Sequence, residues 1–214
     1  MKYKCAVFDM DGTILDTLRD LMDALNYALR LSGRPERTLD EVRSFVGNGI
    51  VMLLRRAAPD AEGAAFDKLH ADFREWYGPH CADNTRPYDG VVEAGAALRK
   101  AGVRTAVVSN KSQPEVRALC ERFFPGLFEA QIGVTAGSKP KPAPDSVFAA
   151  LKALGADASE AVYIGDSEVD MQTAANAGLP AIAVAWGFRG AAFLRSVGAE
   201  TIVDSPDELI GLIV

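Results

Sequence analysis

The segment Asp9-Met10-Asp11-Gly12-Thr13 follows directly on an apolar run, Lys4 to Phe8. In an extended chain residues i and i+2 face the same way, so the carboxylates of Asp9 and Asp11 project to one side while Met10 turns back into the apolar interior. At an effective dielectric of about 20, two unit charges about 4 Å apart repel by roughly 4 kcal/mol, so such a pair calls for a cation or a retained proton. Hard oxygen ligands of this kind select Mg²⁺. Gly12 permits a tight turn that exposes backbone N–H groups, and Thr13 adds a hydroxyl. The alternative is a turn carrying two solvated aspartates.

Three further segments carry polar groups at comparable places. Gly165-Asp166-Ser167-Glu168-Val169-Asp170 supplies a second acid pair, Asp166 and Asp170, one helical turn apart; ordinary helix capping is the competing explanation. Ser109-Asn110-Lys111 follows the run Val103 to Val108 and is expected at a helix N-terminus, where a hydroxyl and free N–H groups hold phosphate oxygens. Lys111 in a first helical turn opposes the helix dipole and is unfavourable there without an anion nearby. Lys139-Pro140-Lys141-Pro142-Ala143-Pro144 precedes a helical pattern; Pro142 keeps Lys141 out of helical angles and Pro144 suits a helix start, so a lysine is presented from a stiff backbone. A solvated proline-rich loop is the plainer alternative.

The elements that position these groups are legible as short Val/Ile/Ala runs ending in polar residues. Lys4 to Phe8, Val103 to Val108 and Ala161 to Ile164, with Ala181 to Ala185 and Thr201 to Val203, read as buried parallel strands. Helical patterns such as Val147 to Leu154 and Val169 to Ala177 lie between them. The fold expected is α/β, a doubly wound parallel sheet, in which ligands sit beyond the carboxyl ends of the strands. Asp9, Ser109 and Asp166 fall at those ends. About ninety residues separate the first two strands, whereas a βαβ unit needs roughly thirty, so something is inserted. Leu18, Leu21, Met22, Leu25 and Leu29 recur at helical spacing up to Gly33, Thr38 and Glu41 form a capping box, and Phe66, Leu69, Phe73 and Trp76 make another stripe. The insert is therefore a small helical domain. Its expected bounds are 16–81, with the catalytic core at 1–15 and 82–214, and the connections near Leu15 to Thr17 and Cys81 to Pro87 are expected to act as hinges.

Composition narrows the partners. Lys and Arg total 23 against 29 Asp and Glu, a formal charge of −6, which repels a phosphate polymer and argues against nucleic acid. The three cysteines, Cys5, Cys81 and Cys120, show no paired spacing and read as buried reduced thiols. No run approaches the roughly 18 apolar residues of a membrane span, and the first residues lack the pattern of a signal peptide. A cytoplasmic protein, with no membrane partner and existing as a monomer or weak homodimer, is the expectation. His70 and His80 have no partner spacing for a zinc site or a serine-histidine triad. Trp186-Gly187-Phe188-Arg189 follows a strand end and either borders the pocket or packs into the core.

Acid pair, hydroxyl, lysine and acid pair at four strand ends, in that order, resemble the haloacid dehalogenase superfamily and its phosphatase branch. The resemblance covers essentially the whole chain, including a helical cap inserted after the first strand of a Rossmann-like core. It implies Asp9 as nucleophile, Asp11 as general acid and base, Ser109 and the K-P-x-P lysine as phosphate-binding catalytic groups, and Mg²⁺ held by Asp9, Asp166 and Asp170 with the carbonyl of Asp11. Both Lys139 and Lys141 begin a K-P-x-P; in similar sequences the distance to a Leu-Gly closing the next helix, here Leu154-Gly155, selects Lys141. Gly12, Thr13 and Asn110 are expected to bind the phosphate. Asp9 to Leu29, and Phe45 to Gly49 with Arg55 and Arg56, resemble phosphoglycolate phosphatases, which implies that Gly47 and Asn48 reach the substrate and that Arg56, or less directly Arg55, reads its carboxylate. The substrate is then a small phosphorylated metabolite. A sugar-phosphate mutase or pyrophosphatase of the same superfamily, and a non-enzymatic phospho-receiver domain, are the competing readings; the one-strand D-x-D and the insert disfavour the receiver.

Overall fold

The structure is a computed structural model that describes residues 1–214, and it divides into two compact units, Met1–Leu15 with Pro87–Val214, and Asp16–Arg86. In the first unit a six-stranded sheet has the order β5-β4-β1-β6-β7-β8, made of β1 (Cys5–Phe8), β4 (Arg104–Ser112), β5 (Ala130–Val134), β6 (Ala161–Gly165), β7 (Ala181–Val184) and β8 (Ile202–Val203). Every pairing is parallel. β1 is central in the sheet and, like a strand covered on both faces, is wholly apolar and buried. Its register places Phe8 level with Val107 and Ile164, so Asp9, Ser109 and Asp166 emerge at one edge of the sheet. The chain winds outward from β1 on one side through β4 and β5, then crosses back to β6 on the other, which makes this edge a topological switch point.

Cys5, Val7, Ala106, Val108, Ala161 and Tyr163 bury one face of the sheet against Val147, Ala150, Leu151 and Leu154 of α7 (Asp145–Leu154) and Ala174 and Ala177 of α8 (Glu168–Ala177). The helices α5 (Val91–Lys100), α6 (Gln113–Phe123), α9 (Gly190–Ser196) and α10 (Pro206–Ile213) complete this unit. β5 has no counterpart among the expected strands, because Gln131 and Gly133 interrupt its apolar run. The three cysteines are buried and unpaired with one another, and no helix is long and apolar enough to cross a membrane.

The chain leaves this unit through β2 (Leu15–Asp16) and returns through β3 (Arg86–Pro87), which form their own two-stranded sheet. The second unit holds α1 (Leu18–Leu31), α2 (Leu39–Phe45), α3 (Ile50–Ala57) and α4 (Gly63–His80). The Thr38–Glu41 capping box forms at the start of α2. The buried stripe of α4 is Phe66, Leu69, Phe73 and Tyr77, a correction to the expected Trp76, which is half-buried between the rings of Tyr27 and His80. The stripe must advance by four residues rather than three to stay on one face at 3.6 residues per turn.

The return boundary lies at Arg86/Pro87, not at Cys81/Ala82 as expected. The reason is Asp20, a fully buried acid of α1. Its carboxylate accepts from the backbone N–H of Asn84 (2.9 and 3.1 Å) and of Thr85 (2.8 Å), from Asn84 Nδ2 (2.8 Å) and from Thr85 Oγ1 (2.8 Å). These bonds tie residues 84 and 85 to α1. Hydrogen bonds to a charged acceptor contribute more than neutral ones, and their loss strands buried donors. Asp20→Ala is therefore expected to lower unfolding stability by about 3 kcal/mol, measured by urea denaturation; a loss within experimental error would show that the bonds contribute nothing net.

Candidate active site

At the switch-point edge four segments bring their polar groups together. Asp9 follows β1 and is buried. Lys141, in the loop before α7, places Nζ 2.6 Å from Asp9 Oδ1 and 2.8 Å from Asp170 Oδ1. The hydroxyl of Tyr163, on β6, lies 3.0 Å from both Lys141 Nζ and Asp170 Oδ1. Asp170 also caps α8: Ser167 donates to its Oδ2 from N (3.1 Å) and Oγ (2.6 Å). Capping and site-building are thus one arrangement, and Asp170 is almost fully buried rather than exposed. Lys139, the other candidate, is exposed.

Lys141 is held by its backbone as well as its ammonium. Asn110 Oδ1 accepts from Lys141 N at 2.7 Å and Asn110 Nδ2 donates to Lys141 O at 3.1 Å, and the Lys141–Pro142 bond is cis. Asp166 accepts from Phe188 N (2.7 Å) and, at 3.4 Å, from Thr13 Oγ1. The segment from Trp186 to Arg189 therefore borders the site: Trp186 Nε1 donates to Thr13 O at 3.0 Å, and Arg189 pairs with Glu168 at 3.0 Å. Glycines make this closeness possible. A Cβ at Gly12 or Gly187 would overlap the Asp166 side chain, and one at Gly165 would overlap Asp170; Gly12 also has a φ of 85°.

The surroundings of Ser109 differ from expectation. β4 continues through Ser112, with a register shift after Val108, and α6 begins only at Gln113. Ser109 is not a helix cap, because Ser112 takes that role in a capping box with Glu115. Ser109 Oγ instead accepts from Lys111 N at 3.1 Å and lies 3.5 Å from Asp11 Oδ2. Lys111 is buried in this strand extension, and its Nζ sits 2.9 Å from Asp11 Oδ1. The anion that a lysine here required is Asp11. The expected helix-dipole penalty does not apply, because Lys111 lies in the strand and not in a first helical turn; its burial is what calls for an anion.

The carboxylates of Asp9, Asp166 and Asp170 offer oxygens all within 4.8 Å of one another; the Asp11 carboxylate stands outside this group. Burial, then the neighbouring charge of Asp170, pushes the Asp9 carboxyl up to about 7 against the pull of Lys141. Burial and the charges of Asp170 and Asp9 hold Asp166 well above the usual carboxylate range. Burial alone would lower the Lys141 pKa, but Asp170 and Asp9 outweigh it and hold the ammonium charged. Three buried acids facing one ammonium are short of positive charge, and their hard oxygen donors suit a divalent cation.

The other expected site residues, Gly47, Asn48 and Arg56, belong to the helical unit and are grouped there. Arg56 donates from Nη1 to Phe45 O (2.5 Å) and from Nη2 to Asn48 Oδ1 (2.7 Å), and Gly47 turns the chain with a φ of 125°. Arg55 lies over the Phe66 ring, 4.3 Å from its centroid. His70 and His80 stack on Phe66 and Trp76.

Residues 6–184 match the family of haloacid dehalogenase-like hydrolases. The chain belongs to this family. Its phosphatase members are its near relatives: it is 37% identical over 204 residues to the phosphoglycolate phosphatase of Caulobacter vibrioides, covering 92% of this chain and 85% of that one. It is also 37% identical over 188 residues to that of Rhodobacter capsulatus, covering 86% and 84%. A crystal structure from Lactobacillus delbrueckii subsp. bulgaricus, provisionally assigned as a phosphoglycolate phosphatase, superposes with a TM-score of 0.94 at 39% identity, covering 100% of this chain and 99% of that one. The chain is accordingly an enzyme, a phosphatase similar to these proteins, and the phospho-receiver reading is set aside.

The raised pKa of Asp9 has a testable sign. Its unfolded value is near 3.8 and its folded value about 7, so the folded state keeps a proton that the unfolded state releases. Its contribution to stability is present below about pH 4 and is lost as pH rises toward 7. In chelator, Asp9→Asn should therefore gain stability relative to the parent between about pH 4 and 7, by a few kcal/mol in all, and the difference should level off above that. Urea unfolding of both proteins across this range measures it; a pH-independent difference would show that Asp9 ionises in the fold as it does in water.

Proposed function

We propose that the protein is a Mg²⁺-dependent phosphomonoester hydrolase that works through an aspartyl phosphate on Asp9, with phosphoglycolate as its substrate. The observation that carries the reading is the division of labour between the two acids of one strand end: Asp9 faces Lys141 and the acid cluster, whereas Asp11 is turned away to Ser109 and Lys111. Each acid has its own lysine; Asp9, within the acid cluster, is assigned as the nucleophile, and Asp11, outside it, as the group that handles a proton.

Lys141 occupies Asp9 Oδ1, leaving Oδ2 to attack phosphorus in line. The bond from phosphorus to the leaving oxygen breaks as Asp11, protonated, delivers its proton to that oxygen. Asp11 then takes a proton from the water that hydrolyses the acyl phosphate, which restores Asp9. Ser109, the backbone N–H groups after Asp11, the Thr13 hydroxyl and Lys141 orient the phosphoryl oxygens and stabilise the charge that develops on them. Asp9, Asp166 and Asp170, with the Asp11 carbonyl, would hold the Mg²⁺. When bound, that ion supplies the positive charge that lets an anionic nucleophile approach a phosphate dianion.

The similarity to phosphoglycolate phosphatases supports phosphoglycolate as the substrate. The same similarity assigns a substrate-reading role to Arg56, whose guanidinium has five donors and uses two on Phe45 and Asn48. Its remaining donors are assigned to the substrate carboxylate.

Three measurements test this reading. Asp9→Asn should abolish turnover of every phosphomonoester, and chelation should do the same to the parent, with Mg²⁺ restoring it; undiminished hydrolysis in either case rejects the mechanism. On a panel of phosphoglycolate, sugar phosphates and pyrophosphate, phosphoglycolate should show the highest kcat/KM, and preference for one of the others moves the assignment to a sugar-phosphate or pyrophosphate enzyme. Arg56→Gln should raise KM for phosphoglycolate by roughly tenfold while leaving that for ethyl phosphate, which lacks the carboxylate, nearly unchanged; equal effects on the two esters would remove the carboxylate role.

A further inference from the structure

Lys111 is a buried ammonium that the proposed mechanism does not yet use. Its residue exposure is 4%, and a buried lysine is strongly unfavourable unless paired. The surrounding chain is built to hold it. Ser109 Oγ accepts the Lys111 backbone N–H at 3.1 Å. On the neighbouring strand, a Cβ at Gly133 would come within 2.9 Å of Lys111 O and 2.8 Å of Gln113, so β5 can approach the irregular stretch of β4 only with glycine there. Gln113 fastens the same place, donating to Gln131 O (2.9 Å) and accepting from Gly133 N (2.8 Å). The side chain so anchored reaches Asp11 Oδ1 at 2.9 Å, while Asp11 Oδ2 lies 3.5 Å from Ser109 Oγ, at the limit of a hydrogen bond.

We propose that Lys111 is a positioning residue for Asp11: by holding Oδ1 it fixes the carboxyl plane and assigns Oδ2 as the oxygen that carries and delivers the proton. This rests on the reading of Asp11 as the general acid. In the first step the electron pair of the breaking P–O bond goes to the leaving oxygen and the proton on Asp11 Oδ2 follows it. An alkyl leaving group needs that proton, whereas 2,4-dinitrophenolate departs as the anion. A misaligned acid therefore slows the first ester and spares the second.

The test compares first-turnover rates of leaving-group release by the Mg²⁺-loaded parent, Lys111→Met, Lys111→Arg and Asp11→Asn. The substrates are phosphoglycolate, β-glycerophosphate as an alkyl ester independent of the substrate assignment, and 2,4-dinitrophenyl phosphate. For Lys111→Met the alkyl esters should slow by roughly 100-fold, at least about tenfold more than the aryl ester, with Lys111→Arg recovering part of the loss. Equal losses on alkyl and aryl esters, a loss confined to KM, or no loss overturns the proposal. If Lys111→Met does not fold, Lys111→Gln takes its place under the same criteria. Asp11→Asn separates the two readings: with alkyl-selective loss in Asp11→Asn but not in the Lys111 variants, the positioning role alone fails. Without alkyl-selective loss in Asp11→Asn, the acid role fails and the positioning role with it.

Discussion

The ammonium of Lys141 sits between two buried carboxylates, 2.6 Å from Asp9 and 2.8 Å from Asp170, and the arrangement of the first unit follows from the need to keep it there. Each of these charges, alone at this depth, would be unfavourable by several kcal/mol. Together they are tolerable only with close geometry and further hydrogen bonds: Tyr163 and Ser167 donate to the Asp170 carboxylate, and Asn110 holds the Lys141 backbone. Removing any one of these partners leaves a charge or a donor without its complement. The sheet order matters for the same reason: β1 lies between β4 and β6, so the chain ends that carry the partners meet at one edge.

Backbone, not side-chain bulk, encloses the acids. Gly12, Gly165 and Gly187 each occupy a place where a Cβ would overlap Asp166 or Asp170, and Phe188 contributes an N–H to Asp166. Peptide groups are rigid, so the oxygens they border have little freedom to reorganise, which is the property an electrostatic site requires. Even so, the acids outnumber the cations near them. That imbalance, expressed in the raised pKa of Asp9 and Asp166, is the physical reason the cluster suits a hard divalent ion.

The helical unit uses buried polar contacts to hold short helices and loops together. Besides Asp20, Asn26 of α1 exchanges hydrogen bonds with the backbone of Arg37 (2.9 and 2.8 Å), and Arg37 in turn donates to Ala57 O at 2.6 Å from Nη2. Arg56 joins Phe45 to Asn48 in the same manner. A domain of this size buries a limited apolar core, so such side-chain-to-backbone bonds, aimed at carbonyls and N–H groups left over at helix ends, supply much of its definition.

Much of this was legible in the chain alone, where the local rule was strong. Apolar runs closing on Asp9, Ser109 and Asp166 predict a parallel sheet with polar groups at its carboxyl edge, because burial on both faces demands continuous hydrophobicity. The capping pattern at Thr38 also follows from short-range spacing, whereas the choice of Lys141 over Lys139 comes from the resemblance to the haloacid dehalogenase superfamily. What spacing could not decide was everything that depends on partners distant in sequence. β5 was hidden because Gln131 and Gly133 look unlike a strand until the neighbouring Lys111 and Gln113 backbone explains them. Asp20 drew no attention in the sequence because its partners, residues 84 and 85, lie more than sixty positions away. The pairing of Lys111 with Asp11, one hundred positions apart, exists only because two parallel strands lie side by side. Local sequence thus determined which groups were available at the strand ends; long-range packing turned Asp11 toward Lys111 and away from the Asp9 cluster, and decided which charges share a low-dielectric space.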